Sequence, residues 1–228
     1  MNSGVGDFDE FAADYETLLR RAVGRFAGQT DYYSSRKAEL LKKQNLDQIP
    51  MRILDFGCGT GLLITELFKE FPNAEIWGTD VSKESLAIAK KANPTMTCVD
   101  PGEIVTEYFD LIVISNVLHH IEPSDRANVI KTQANHLRKG GAIFLFEHNK
   151  KNPITRRIVD RCEFDVGVEL LTRKQSIDLI NASKAYGNVN SGYFMIFPGF
   201  LKRMKGLEQV ISRVPVGAQF WISAKKRM

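Results

Sequence analysis

The chain has 228 residues, 43% of them apolar and 25% charged, with a net charge of +4. This is the balance of an ordinary globular domain, not of a disordered, fibrous or membrane-spanning chain, and the length suffices for one α/β domain with a sizeable core. Three cysteines (Cys58, Cys98, Cys162) make no Cys-x-x-Cys pair, so free thiols in a reducing compartment are expected rather than a disulfide framework. No apolar run approaches the roughly 18 residues of a membrane span. Met1 to Phe11 is acidic rather than a signal peptide, and a cytoplasmic protein is expected.

In chain order, residues 1–50 read as a helical preface. Phe8, Phe11, Tyr15, Leu18, Leu19, Ala22, Val23 and Phe26 recur at three- and four-residue spacing, which makes one apolar stripe. A second preface helix is predicted from Tyr32 to Gln44. Strand and helix then alternate. Strands are predicted at Arg52–Asp55, Ala74–Asp80, Thr95–Asp100, Phe109–Asn116 and Ala142–Glu147. Helices are predicted after Gly61, from Ser82 to Asn93, near Glu103–Glu107 and from Pro123 to Leu137. Leu111-Ile112-Val113-Ile114 is apolar on both faces, as a central parallel strand requires. Further on, Pro153–Asp160 and a capping box at Thr172-Arg173-Lys174-Gln175 predict helices. Val189–Phe197 and Gln219–Ala224 read as strands, with Phe200–Val214 helical between them. The pattern predicts an α/β fold: a Rossmann-like, doubly wound, mostly parallel seven-stranded sheet with helices on both faces.

The stretch Ile53-Leu54-Asp55-Phe56-Gly57-Cys58-Gly59-Thr60-Gly61 places an acid and three alternate glycines between a strand and a helix. Glycine lets a ligand press against the main chain, and free N–H groups opening a helix favour an anionic group. This is a nucleotide-cofactor loop. The dinucleotide fingerprint fails, because Leu62 and Ile64 stand where its third glycine would fall; the P-loop fails for want of Gly-Lys-Ser/Thr. Asp80 ends the second strand, where a carboxylate can accept from both ribose hydroxyls, while Ser82 is the expected cap of the next helix. Asp100 ends the third strand, where an acid can accept from an adenine amino group, although Asp100-Pro101-Gly102 is also a good turn. Asn116-Val117-Leu118-His119-His120-Ile121 ends the fourth.

Asp-x-Gly-x-Gly-x-Gly resembles motif I of the class I S-adenosylmethionine (SAM)-dependent methyltransferases. With Asp80, Asp100, the Asn116 to Ile121 segment and Leu137-Arg138-Lys139-Gly140-Gly141 in order, residues 50–149 resemble that family as a set. Glu147-His148-Asn149, Asn152-Pro153, Thr155-Arg156-Arg157, Arg161-Cys162 and Phe164-Asp165 are also similar to bacterial methyltransferases of polysaccharide and secondary-metabolite pathways. The resemblance implies S-adenosyl-L-methionine as cofactor. It implies contacts from Asp55, Phe56, Gly57, Cys58, Gly59 and Gly61 in the loop, and from Asp80, Val81, Asp100 and Asn116 beyond it. It also implies one methyltransferase domain over 1–228, with 1–50 as cap, 51–149 as cofactor-binding core and 150–228 on the substrate side.

A sulfonium methyl is already activated, so the main task is to bring a nucleophile into line, and an alcohol must lose a proton as it attacks. His120 is expected to take that proton, in preference to His119; packing over the cofactor is the alternative. Glu147 and His148 are expected to face the same crevice as base or substrate-hydroxyl ligand, or Glu147 to pair with a nearby arginine. The spacing of His, Asp and Glu matches no zinc signature, and no metal is expected. The activity expected is O-methylation of a small-molecule or glycan-type metabolite, which could be sugar- or lipid-linked. Residues 201–228 carry seven Lys or Arg against Glu208 alone, so docking of a nucleic acid or other macromolecule is one alternative. A non-catalytic cofactor-binding protein of the same fold is another. Absence of an Asn/Asp-Pro-Pro-Tyr/Phe signature and of a Pro-Cys dipeptide disfavours nucleic-acid methylation. The aromatic stretch Tyr193 to Leu201 reads as core packing, or as a peripheral contact with a lipid-linked or anionic glycan.

Overall fold

A computed structural model describes residues 31–44, 51–195 and 212–227, with Asp9, Ala12, Asp14, Thr17, Leu18 and Arg21 of the preface. The remainder of the predicted apolar stripe, and all but the last three residues of the predicted 200–214 helix, lie outside the described residues.

The elements are α1 (Asp31–Lys43), β1 (Arg52–Phe56), α2 (Leu62–Glu70), β2 (Glu75–Thr79), α3 (Lys83–Ala92) and β3 (Thr97–Cys98). They continue with β4 (Phe109–Ser115), α4 (Pro123–His136), β5 (Leu137–His148), α5 (Pro153–Val159), α6 (Arg173–Ala182), β6 (Tyr186–Phe194) and β7 (Gln219–Lys226). All seven strands join one sheet in the order β3-β2-β1-β4-β5-β7-β6. Only β7 runs antiparallel to its neighbours. The order reverses between β1 and β4, so a crevice opens beyond their carboxyl ends.

Side chains alternate across the sheet as the two-residue period of a strand dictates. Ile53, Leu111, Val113 and Phe144 pack with residues of α1 and α2 on one face. Leu54, Ile112, Ile114 and Leu145 pack with α4 and α6 on the other. Leu111 to Ile114 are fully buried, which explains the unbroken apolar run. Among the described residues no helix is long and apolar enough to cross a membrane.

Four boundaries depart from the sequence reading. β3 is only two residues long, because pairing with β2 is confined to Trp77 with Thr97 and Gly78 with Cys98 and the Asp100-Pro101-Gly102 turn follows. Residues 103–107 form no helix; Glu107 and Tyr108 instead donate backbone N–H groups to Asn135 and His136 at the end of α4. β5 starts at Leu137, which pairs with Phe109, and a register irregularity absorbs the glycines ahead of Ala142. β6 begins at Tyr186, three residues early. The caps are as read: Ser82 accepts from the Ser85 N–H, and Thr172 and Gln175 form a complete capping box.

Gly61 is held tightly against α3. Its φ is +82°, and a Cβ there would lie 2.9 Å from both the Ala89 Cβ and the Asn93 Nδ2. Gly61→Ala is therefore expected to cost about 2–4 kcal/mol, the sum of left-handed strain and overpacking, read as a lowered urea midpoint.

Candidate active site

The crevice is a cavity of about 820 Å³, within the usual range of small-molecule sites. At one end lies the glycine loop. Gly57 and Cys58 donate to the Thr79 carbonyl at 2.8 and 3.0 Å, which pins the loop to the end of β2. Asp80 completes the brace: Oδ2 accepts from Gly59 N at 2.7 Å and Oδ1 from Ser82 N at 2.9 Å. Gly59 has φ +52°, and a Cβ on it would meet nothing within 4 Å, so its backbone faces open space.

Asp55, at the end of β1, is 1% exposed, and its Oδ1 is buried without a hydrogen-bond partner among the described residues. Burial pushes its carboxyl up to about 7, with Lys37 pulling the other way and Asp80 adding to the rise. Lys37 comes from α1. Its ammonium donates to Ser115 Oγ at 2.7 Å, and burial lowers its pKa to about 8 against the attraction of Asp55 and Glu147. The two opposite charges thus stand at one wall of the cavity.

Beside the turn that follows β4, five titratable side chains converge. Asn116 takes φ +57°, a left-handed conformation that Asn tolerates better than most residues, and a short 3₁₀ turn over Leu118–His120 follows. His119 Nδ1 lies 2.6 Å from Glu147 Oε2, and Glu147 Oε1 accepts from Leu118 N at 2.8 Å. His119 Nε2 and His120 Nε2 approach Asp165 Oδ1 at 3.6 and 3.3 Å. Asp165 sits on a second 3₁₀ turn (Glu163–Asp165), placed by α5, whose N-cap Asn152 accepts from Ile154 and Thr155. Arg126 ties this segment to the histidine turn by donating to the carbonyls of Ile121 and Glu169. Burial works against the His119 imidazolium, but Glu147 and Asp165 outweigh it and hold its pKa up at about 9. Burial and the neighbouring His119 charge hold His148 down at about 4. Asp165 stays well below the ordinary carboxylate range despite burial, because the rings of His119 and His120 beside it favour the charged form.

Most residues expected from the sequence line this cavity: Asp55, Phe56, Gly57, Cys58 and Gly59 of the loop, then Asp80, Val81, Asn116, His120 and His148. Three do not. Gly61 packs against α3, as above. Asp100 is exposed, and Pro101 beside it reaches the cavity instead. Glu147 is 1% exposed and lies behind His119 rather than on the wall; it bonds to a histidine, not an arginine. Lys37, His119 and Asp165 join the wall without having been singled out as site residues.

A family model described as a methyltransferase domain matches residues 54–143. The chain is 25% identical over 194 residues to malonyl-[acyl-carrier protein] O-methyltransferase of Bacillus cytotoxicus, covering 77% of this chain and 67% of that one. It is 29% identical over 111 residues to the ubiquinone biosynthesis O-methyltransferase of Aeromonas salmonicida, covering 45% of this chain and 44% of that one. The fold is similar to that of a SAM-dependent methyltransferase from Thermotoga maritima, with TM-score 0.68 at 16% identity over 96% of this chain and 98% of that chain. In its matched methyltransferase domain, strand order and ordered motifs, the chain is similar to the class I S-adenosylmethionine-dependent methyltransferases.

Proposed function

We propose that this methyltransferase acts on an oxygen of a small-molecule or glycan-type acceptor, free or sugar- or lipid-linked. The observation that carries the reading is the continuous cavity joining the glycine loop to the histidine cluster. The O-methyltransferase relative from Bacillus cytotoxicus supports oxygen as the methylated atom. Residues 51–149, with Lys37 of α1, then hold the cofactor, while residues 150–195 shape the acceptor side within one domain. Three free cysteines support a reducing, cytoplasmic setting.

In this reading the amino-acid end of the cofactor lies against Asp55 and Lys37, which offer a carboxylate to its amino group and an ammonium to its carboxylate. The ribose lies against Asp80, with Val81 beside the base. The acceptor oxygen attacks the methyl carbon as the carbon–sulfur bond breaks. S-adenosylhomocysteine leaves, and the acceptor proton passes to an imidazole on the wall, His120 or His148. Glu147 acts at one remove, by orienting His119.

Calorimetric titration with S-adenosylmethionine tests the reading. In the free protein the Asp55 carboxyl sits at about 7, and a cationic amino group beside it favours the carboxylate. Binding therefore releases a proton below that value: affinity is expected to rise as pH climbs toward 7 and to level off above it, and Asp55→Asn is expected to flatten the profile. Absence of binding by folded wild-type protein would sink the reading.

A further inference from the structure

We propose that His119, His120 and Asp165 form a binding site for a divalent transition-metal ion, with zinc as the reference case, at the acceptor end of the cavity. The proposal rests on the methyl-transfer reading and adds a group that the sequence spacing did not predict, because its ligands come from two separate 3₁₀ turns.

Both imidazoles aim Nε2 at one oxygen, Asp165 Oδ1, at 3.6 Å from His119 and 3.3 Å from His120. The ligand atoms of the set lie within 4.8 Å of one another. Two ligand atoms each about 2.1 Å from a tetrahedral ion stand about 3.4 Å apart. Two edges of the set therefore already have the length that a shared ion requires.

A hydrogen bond explains the His119 edge less well. At 3.6 Å its Nε2 is out of reach, and this nitrogen is buried without a hydrogen-bond partner among the described residues, in a side chain 1% exposed. A buried ring nitrogen left so is costly. The group behind the ring fixes its orientation. Glu147 Oε2 lies 2.6 Å from Nδ1, and its other oxygen is fixed by Leu118 N. An ion bound at Nε2 takes the place of the proton there, while Glu147 keeps the Nδ1–H and orients the ring, the outer-layer arrangement that metal-bound histidines use. The 3.6 Å gap between Nε2 and Asp165 Oδ1, too wide for a proton bridge, fits a metal ion.

Two nitrogens and one carboxylate oxygen suit zinc, iron(II) or cobalt(II), and three protein ligands leave a position open to incoming substrate. All three ligand residues line the cavity. An acceptor hydroxyl bound at the open position loses its proton more readily. With His119 and His120 engaged as ligands, His148 is the imidazole on the wall that takes the proton, and the oxygen then accepts the methyl group from sulfur.

The test uses full-length protein stripped with a chelator, titrated with Zn²⁺ by calorimetry and with Co²⁺ by visible absorption. One ion per chain is expected, with the intense visible bands of four-coordinate Co²⁺. Asp165→Asn and His120→Gln should each weaken binding by about 100-fold or more, and Glu147→Gln by about 10–100-fold, as loss of an outer-layer partner does. S-adenosylmethionine binding is measured on the same samples as the control for fold and cofactor site. Samples that bind the cofactor but no stoichiometric Zn²⁺, or whose Zn²⁺ binding ignores Asp165→Asn, overturn the metal site and leave the methyltransferase reading standing. Folded wild-type protein that binds no cofactor overturns the reading beneath.

Discussion

His120→Ala is expected to lower kcat by about 10²–10⁴-fold, the usual worth of a group that acts on the reacting proton directly or through a bound ion, while leaving the dissociation constant for S-adenosylmethionine essentially unchanged. The split follows from position. His120 lines the cavity, its Nε2 3.3 Å from Asp165 Oδ1 and its side chain 14% exposed. In the proposed pose it meets the acceptor, while Asp55, Lys37 and Asp80 hold the cofactor. A loss confined to kcat marks an interaction made in the transition state. His148→Ala, run beside it, separates the two imidazoles: the one that receives the proton loses rate and also loses the acid limb of the pH–rate profile. Glu147→Gln should cost less than either, because it reaches the acceptor only through His119. Unchanged kcat in both histidine variants would remove the cluster from the chemistry. Folding is monitored by circular dichroism, since both side chains stand on a cavity wall rather than in the packed layers.

The sheet and the cofactor end were legible because they depend on local signals. The apolar run Leu111 to Ile114, the alternate glycines and the Thr172 to Gln175 cap are each contained in a few consecutive residues, and each forms as read. The short β3 was misread because strand propensity says nothing about how many partners an edge strand will find; Asp100 then lost its expected place because the strand that was to carry it stops at Cys98. The acceptor end is the converse case. Lys37 meets Ser115 across 78 positions of sequence, and Asp165 meets the histidines across more than 40. No spacing rule links residues so far apart, and only the docking of α1 and α5 against the ends of the strands brings them together. The pair Phe164-Asp165 was visible as part of a motif, but its target was not. Glu147 shows the limit most clearly. As the penultimate residue of a strand ending at the crevice it was expected on the cavity wall. One hydrogen bond to His119 and one from Leu118 turn it into the support behind that wall.

Asp80→Ala is expected to weaken S-adenosylmethionine binding by roughly 10²–10⁴-fold, equivalent to two charge-assisted hydrogen bonds of about 1.5–3 kcal/mol each. The residue has two tasks, and the experiment has to tell them apart. Its oxygens already accept from the backbone N–H groups of Gly59 and Ser82, which holds the glycine loop against the start of α3. Each oxygen retains capacity for a further bond, and in the proposed pose those go to the ribose hydroxyls. Loss of the brace alone would weaken every ligand of the loop alike and would lower stability by about 1–3 kcal/mol, because two N–H groups lose their acceptor. Loss of the ribose contact falls only on ligands that carry the hydroxyl. Titrating wild type and variant with the cofactor, and with an analogue lacking the 2′-hydroxyl, closes a double-mutant cycle that isolates the second task. A coupling near zero, with both ligands weakened equally, would assign Asp80 to the loop alone and move ribose recognition elsewhere on the cavity wall. A coupling of about 1.5–3 kcal/mol would place the ribose on this carboxylate.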